Sequence, residues 1–252
     1  MDQNPAEILP DTAVLPPRGT ALSRLVRVFT SPAEVFRELR AAPTWLAPML
    51  ALVVLSLAAQ MIIVPRIDME RTIREAMAQR SSSQQISDEQ MDKFLAAADK
   101  WKWAGPVAAV IFGPLVLTLI GGLYHLGLRA FGADTEFKAV LATYLYASWP
   151  AGLVLTVVTS VVALQRGSFS GEEAKTLVKA GLDALLPASA PGALHAVAGV
   201  FSVFNVWQWI LLVMGFEIVA KVKRGHAVAL VAAVWGVWVL LKIGGALLKA
   251  AF

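Results

Sequence analysis

Five long apolar stretches constrain this chain more than any other feature: residues 45–64, 105–131, 137–164, 195–219 and 227–248. A helix rises ~1.5 Å per residue, so each stretch is long enough to cross a hydrocarbon core of ~30 Å. Composition says the same. Hydrophobic residues make up 57% of the chain and charged residues 16%, against about 25% charged in soluble domains. Lipid must cover the apolar excess. The expected fold is all-α: a polytopic integral membrane protein with five transmembrane helices plus short amphipathic helices.

The segments around the spans follow from patterning. Residues 1–20 carry Asp2, Glu7, Asp11 and several prolines before any apolar run. They are expected to be a disordered tail and do not resemble a signal peptide. The membrane domain then occupies residues 21–252. In "ALSRLVRVF", Leu22, Leu25, Val26 and Phe29 repeat at helical spacing, with Arg24 and Arg27 on the other side. "TSPAEVF" reads as a second helix start, with Ser31 as cap, Pro32 in the first turn and Glu34 closing a capping box. Val35, Phe36 and Leu39 form its apolar face. Two placements fit this pair: flat on the bilayer interface, or packed on the protein's own spans.

Two connections are long. Residues 65–103 predict a helix, a polar turn at "SSSQQ" and a second helix capped by Ser87 and Gln90, with Met91, Phe94, Leu95 and Ala98 on one face. Residues 166–192 predict a short amphipathic helix over 172–186. Lys and Arg divide evenly between the two sides, so the compact "KVKRG" turn decides the orientation: N-terminus in the cytoplasm, C-terminus outside.

Several stretches resemble bacterial Yip1-domain membrane proteins: "TSPAEVFRELRAAPTWLAPML", "ISDEQMDKFLAAADK", "FGADTEFKAVLATYLYASWP" and "FNVWQWILLVMGFEIVAKVKRGHAVALVAAVWGVWVLLKIG". The resemblance implies a five-span membrane fold and, for a bacterial member, the cytoplasmic (inner) membrane. It implies no established activity. The Asp-Leu-Tyr-Gly-Pro stretch of eukaryotic relatives, associated with Golgi traffic and Rab-type GTPases, is absent, so that partner is not implied.

Chemistry-bearing patterns are sparse. The chain has no cysteine, and His125, His195 and His226 lie on separate segments. No carboxylate pair stands at metal-ligand spacing, and "GSFSG" has Phe169 where a nucleophile elbow needs serine. No catalytic residue, metal or cofactor is expected, and the modest net charge of +4 without basic runs gives no reason to expect nucleic acid as a partner. The intramembrane polar residues are the candidate sites. Lys242 falls at a depth similar to Asn205 and Gln208 on the preceding span. Either their amide oxygens accept from the ammonium or the lysine snorkels to the headgroups. Glu217 and Arg129 lie near the same membrane face, where they pair with each other or Glu217 pairs with Lys221. His125 sits one turn before Arg129. Pro114 and Pro150 are expected to kink spans two and three. The expected function is non-enzymatic: membrane organisation or recruitment of a membrane or cytoplasmic protein, with self-association also open and the lipid bilayer as a constant partner. The alternative is a small transporter or channel with a polar path through Lys242, Asn205 and Glu217.

Overall fold

The structure, a computed structural model, describes residues 19–78, 87–187, 190 and 192–251, with side chains except at 192, 193, 196, 242 and 246–251. The expected tail and the "SSSQQ" turn therefore lie outside the described residues, apart from Gly19 and Thr20. The helices are α1 (Ala21–Thr30), α2 (Pro32–Ala41), α3 (Leu46–Ile63), α4 (Met69–Ala78), α5 (Asp88–Trp101), α6 (Ala104–Ala130), α7 (Phe137–Arg166), α8 (Gly171–Lys175), α9 (Gly192–Ala198), α10 (Val203–Ala220) and α11 (Arg224–Ala251). Among the described residues there are no strands, only two isolated bridges. Five helical stretches are long and apolar enough to span a membrane: those of α3, α6, α7, α10 and α11.

The third span is the centre of the bundle. At 30 residues α7 is ~45 Å long, about the full thickness of a bilayer with its headgroups. Its first half, from Ala139 through Ala147, is buried without a break, because α1, α2, α3, α6 and α10 all pack on it. Its second half exposes Val157, Val161 and Leu164, as do the outer faces of α3 (Leu50, Val54, Met61) and α6 (Ile111, Leu115, Leu119). These stripes are what lipid would cover.

The turns between α6 and α7 and between α10 and α11 lie together at one end of the bundle, here the turn end. The two long connections meet at the other end. There Asp68 N–H donates to Phe169 O at 2.8 Å and Phe169 N–H donates to Arg66 O at 3.1 Å. The Thr72 hydroxyl oxygen accepts from Gly171 N–H at 2.8 Å, and Arg71 bridges to Glu173 at 2.9 Å. Phe169, Leu177 and Ala163 form a small apolar cluster beneath, with Ile62, Ile63 and Ile67 packed on it.

The N-terminal pair takes the second of its two expected placements: it packs on the protein's own spans. Phe29 meets Trp207 edge-on at 5.9 Å, and Trp149 Nε1 donates to Leu25 O at 3.0 Å. Those tryptophans stand ~18–20 Å along α7 and α10 from the turn end. The buried side of α1 is also not the expected one. Arg24, Leu25 and Val28 are buried, whereas Leu22 and Val26 are 69% and 71% exposed. The helix is rotated so that Arg24 points inward. Val35, Phe36 and Leu39 are buried as the pattern of α2 requires.

Other boundaries shift for local reasons. The Ser87–Gln90 capping box forms, with both reciprocal hydrogen bonds. The expected box at Ser31 does not: Ser31 makes no side-chain cap bond, and Glu34 turns to Arg27 instead. The amphipathic helix expected over 172–186 shrinks to five-residue α8, opened by its own Ser170–Glu173 box, and a 3-10 turn over Leu182–Leu185. The fourth span begins at Val203, not at His195, because Gly199 interrupts the run and Ser202 caps a new helix by accepting from Asn205 N–H at 3.1 Å. Pro114 and Pro150 lie inside the continuous helices α6 and α7.

Gly215 lets three helices meet. A Cβ built there would lie 2.5 Å from Thr143 Cγ2 of α7 and 3.2 Å from Phe36 of α2. Gly215→Ala should destabilise the bundle by about 1–3 kcal/mol through overpacking. Gly122→Ala, with nothing within 4 Å of its Cβ, should be neutral or slightly stabilising. Thermal unfolding in detergent compares the two; equal effects would contradict the close approach.

Candidate functional site: a buried ionic clamp

Glu38 continues the α2 stripe of Val35 and Leu39, so the packing of α2 carries its carboxylate inward. It is only 6% exposed, and Arg24 opposite is 2% exposed. A bare carboxylate there would be untenable, and two guanidiniums answer it. Arg24 Nε donates to one oxygen at 2.9 Å and Arg27 Nη1 to the other at 2.8 Å. Arg24 Nη1 is used as well: it donates to Ala42 O and to Thr44 Oγ1, both at 3.0 Å. The Tyr146 hydroxyl donates to Ala21 O at 3.0 Å, which leaves Thr44 to donate to the Tyr146 oxygen at 3.3 Å. Seven residues on α1, α2, the α2–α3 linker and α7 thus close one polar network around the start of α1. Burial alone would push the Glu38 carboxyl up, but hydrogen bonds from Arg27 and Arg24, with their charges, outweigh it and hold it below the usual carboxylate range. Arg27 is raised in turn, first by its hydrogen bond to Glu38.

The intramembrane polar residues are placed separately. Gln208 Nε2 donates to Ser148 Oγ of α7 at 2.7 Å, tying spans three and four. Asn205 Nδ2 donates to Val200 O at 2.7 Å, closing the break before α10. Both amides donate elsewhere than towards α11; the Lys242 side chain lies outside the described residues. Glu217 is half-buried, and among the described residues no ion pair joins it to Arg129 or Lys221. Its expected local pair with Lys221 fails because Lys221 takes a left-handed conformation, φ 53°, at the end of α10. Its side chain therefore leaves the helical face on which i and i+4 meet. His125 packs edge-on against Phe137 at 5.8 Å, with Nδ1 buried and unpartnered. Among the described side chains, no hydrogen bond or ion pair joins Asn205, Gln208, Glu217, Arg129 and His125 to one another. Among the described residues no three His, Asp or Glu side chains gather at metal-binding distance.

The sequence model of the Yip1 domain matches residues 26–245, from α1 to the last turns of α11. The chain belongs to the Yip1 domain family. It is 27% identical over 201 residues to "Membrane protein YknW" of Bacillus subtilis (strain 168), covering 79% of this chain and 80% of that protein. No solved structure matches. The family match begins inside α1, so the Glu38 carboxylate and its Arg27 partner fall within the shared domain, while Arg24 precedes it.

Sequence patterning misses the clamp: it sets Arg24 opposite the apolar face of α1 and assigns Glu38 no role. The signal was present: Glu38 sits in the register of a buried stripe. Removing one partner of a buried pair costs about 3–5 kcal/mol. Glu38→Ala should therefore release α1 from the bundle, seen as lost protection of residues 21–30 in hydrogen exchange. A carboxylate with a lowered folded value stabilises the fold above its unfolded pKa of ~4.3, and that contribution is lost as pH falls through the folded value. Acid below about pH 4 should thus loosen α1 in the wild type, and Glu38→Gln should flatten this response.

Proposed function

We propose that this membrane protein is non-enzymatic and acts by organising the bilayer or by recruiting a protein partner through its clamped N-terminal helices. The observation that carries this reading is the buried Arg24–Glu38 pair. An exposed ion pair contributes little, whereas a buried one held by further hydrogen bonds to Ala42 and Thr44 favours one geometry. The clamp holds rigid an outer surface that combines Glu34, Arg37 and Arg40 with exposed Leu22 and Val26. Rigid presentation of mixed apolar and charged groups suits recognition and offers no constellation for catalysis. Transport along Lys242, Asn205 and Glu217 has weaker support. Asn205 is engaged by its own turn, and the buried Leu211, Leu212 and Phe216 separate it from Glu217.

The matching test is capture of the full chain from membranes in mild detergent. A defined protein partner should co-purify with the wild type and be lost on Arg37→Glu with Glu34→Arg, while insertion is unchanged. Purification of both forms with lipid alone would remove the recruitment half of the proposal. A second copy as the only partner would make self-association the answer.

The proposed location is a bacterial cytoplasmic membrane with the N-terminus and the turn end in the cytoplasm, supported by the three bases of "KVKRG". The chain has no cysteine of its own. Single cysteines at Lys93 and Lys175, exposed in the two long connections, should react with an impermeant thiol reagent in intact cells. One at Glu136 should react only after permeabilisation. The opposite pattern would invert the orientation.

A further inference from the structure

The turn end holds a cavity of about 740 Å³ that none of the residues considered so far explains. Three segments far apart in sequence enclose it: the end of α2, the turn between α6 and α7, and the turn between α10 and α11. Arg40, Lys138, Lys221 and Lys223 line it, against the carboxylates of Asp134 and Glu136. Lys138 and Glu136 pair at 2.9 Å. Among the described residues, Arg40, Lys221 and Lys223 form no ion pair. Three uncompensated cations thus face one void with a single unpaired carboxylate. Like charges around a cavity repel, and an anion relieves that repulsion.

Two further features shape the site. Lys221 is the one non-glycine residue with positive φ among the described residues. A helix end of this kind normally takes glycine or asparagine, which adopt the conformation at little cost. Lysine here accepts backbone strain and places an ammonium on the cavity wall. Phe131 stacks flat on His226 at 4.7 Å, which joins two of the three segments at the rim.

We propose that this cavity binds the phosphate of an anionic phospholipid headgroup. Position favours a lipid over free phosphate. Leu119, Leu123 and Leu126 form an exposed stripe along α6 that ends just before Phe131. Acyl chains lying on that stripe bring their headgroup to the cavity. The volume lies within the ordinary ~300–1,000 Å³ range of ligand pockets, and basic pockets between spans are suited to such headgroups. The competing role for these bases is to complement the carboxyl-terminal ends of α2, α6 and α10, which needs no ligand.

The experiment uses the purified full chain in detergent with phosphatidylglycerol or phosphatidylcholine, read by lipid retention in native mass spectrometry. Both lipids carry a phosphate, but only phosphatidylglycerol is net anionic. The wild type should prefer phosphatidylglycerol by about tenfold, given roughly one tenfold step per 1.4 kcal/mol. Arg40→Gln with Lys221→Asn and Lys223→Gln should abolish the preference; asparagine at 221 tolerates the left-handed backbone. Lys93→Gln with Lys175→Gln, at the opposite end, should leave it intact. Added salt should weaken phosphatidylglycerol retention in the wild type, which tests the idea even if the triple variant misfolds. Equal retention by wild type and a folded triple variant, or no response to salt, would overturn the proposal and leave the helix-end role. Displacement by millimolar inorganic phosphate would overturn the lipid and assign the site to a soluble anion.

Discussion

The Glu38 carboxylate is the constraint around which the N-terminal part of the structure is arranged. It lies on a face that must be buried for Val35, Phe36 and Leu39 to pack. A charge in that position is tolerated only if cations reach both oxygens. That requirement rotates α1, pulls Arg24 inward and leaves Leu22 and Val26 outside, against the simplest reading of its hydrophobic pattern. Arg24 Nη1 then draws in Ala42, Thr44 and, through Thr44, Tyr146 of the central span.

The consequence is a coupling between the N-terminal helices and the middle of the bundle. Tyr146 and Trp149 are residues of α7, yet their polar atoms serve backbone carbonyls of α1. Gly215 and Thr143 provide the space in which Phe36 sits. The stretch of α7 from Ala139 to Ala147 is therefore enclosed by protein, while the second half leaves one face, with Val157, Val161 and Leu164, for lipid. Polar bonds at depth are few: besides these, Gln208 to Ser148 joins spans three and four. Van der Waals packing of small and aromatic residues carries the rest, as expected where lipid tails offer no hydrophobic drive for helices to associate.

The two ends of the bundle differ in kind. The long connections interlock through backbone bonds and exposed ion pairs such as Arg71–Glu173. Exposed pairs of that type contribute little individually, so the interlock rests on the backbone bonds and the small cluster under Phe169. The turn end is open and basic, and three of its bases, Arg40, Lys221 and Lys223, form no ion pair among the described residues. An end that is left electrostatically uncompensated is where a ligand has most to offer, and an end already compensated is not.

Length and apolar run decided the five spans, because a stretch of some twenty apolar residues has no other stable environment. Local signals decided the Ser87–Gln90 cap and the inward face of α2, since both depend on neighbours within one turn. What only the tertiary structure decided is which polar residues meet. Arg24 and Glu38 are on different helices, and periodicity can put Glu38 on the inward face of α2 without saying which cation meets it there. Glu217 and Lys221 have the right spacing, but the helix ends between them. The run from His195 to Val219 is mostly apolar, yet Gly199 and the Ser202 cap divide it, because a side-chain cap can outcompete helix continuation where glycine weakens it. Pairing across helices depends on rotation and depth, and a one-dimensional pattern carries neither.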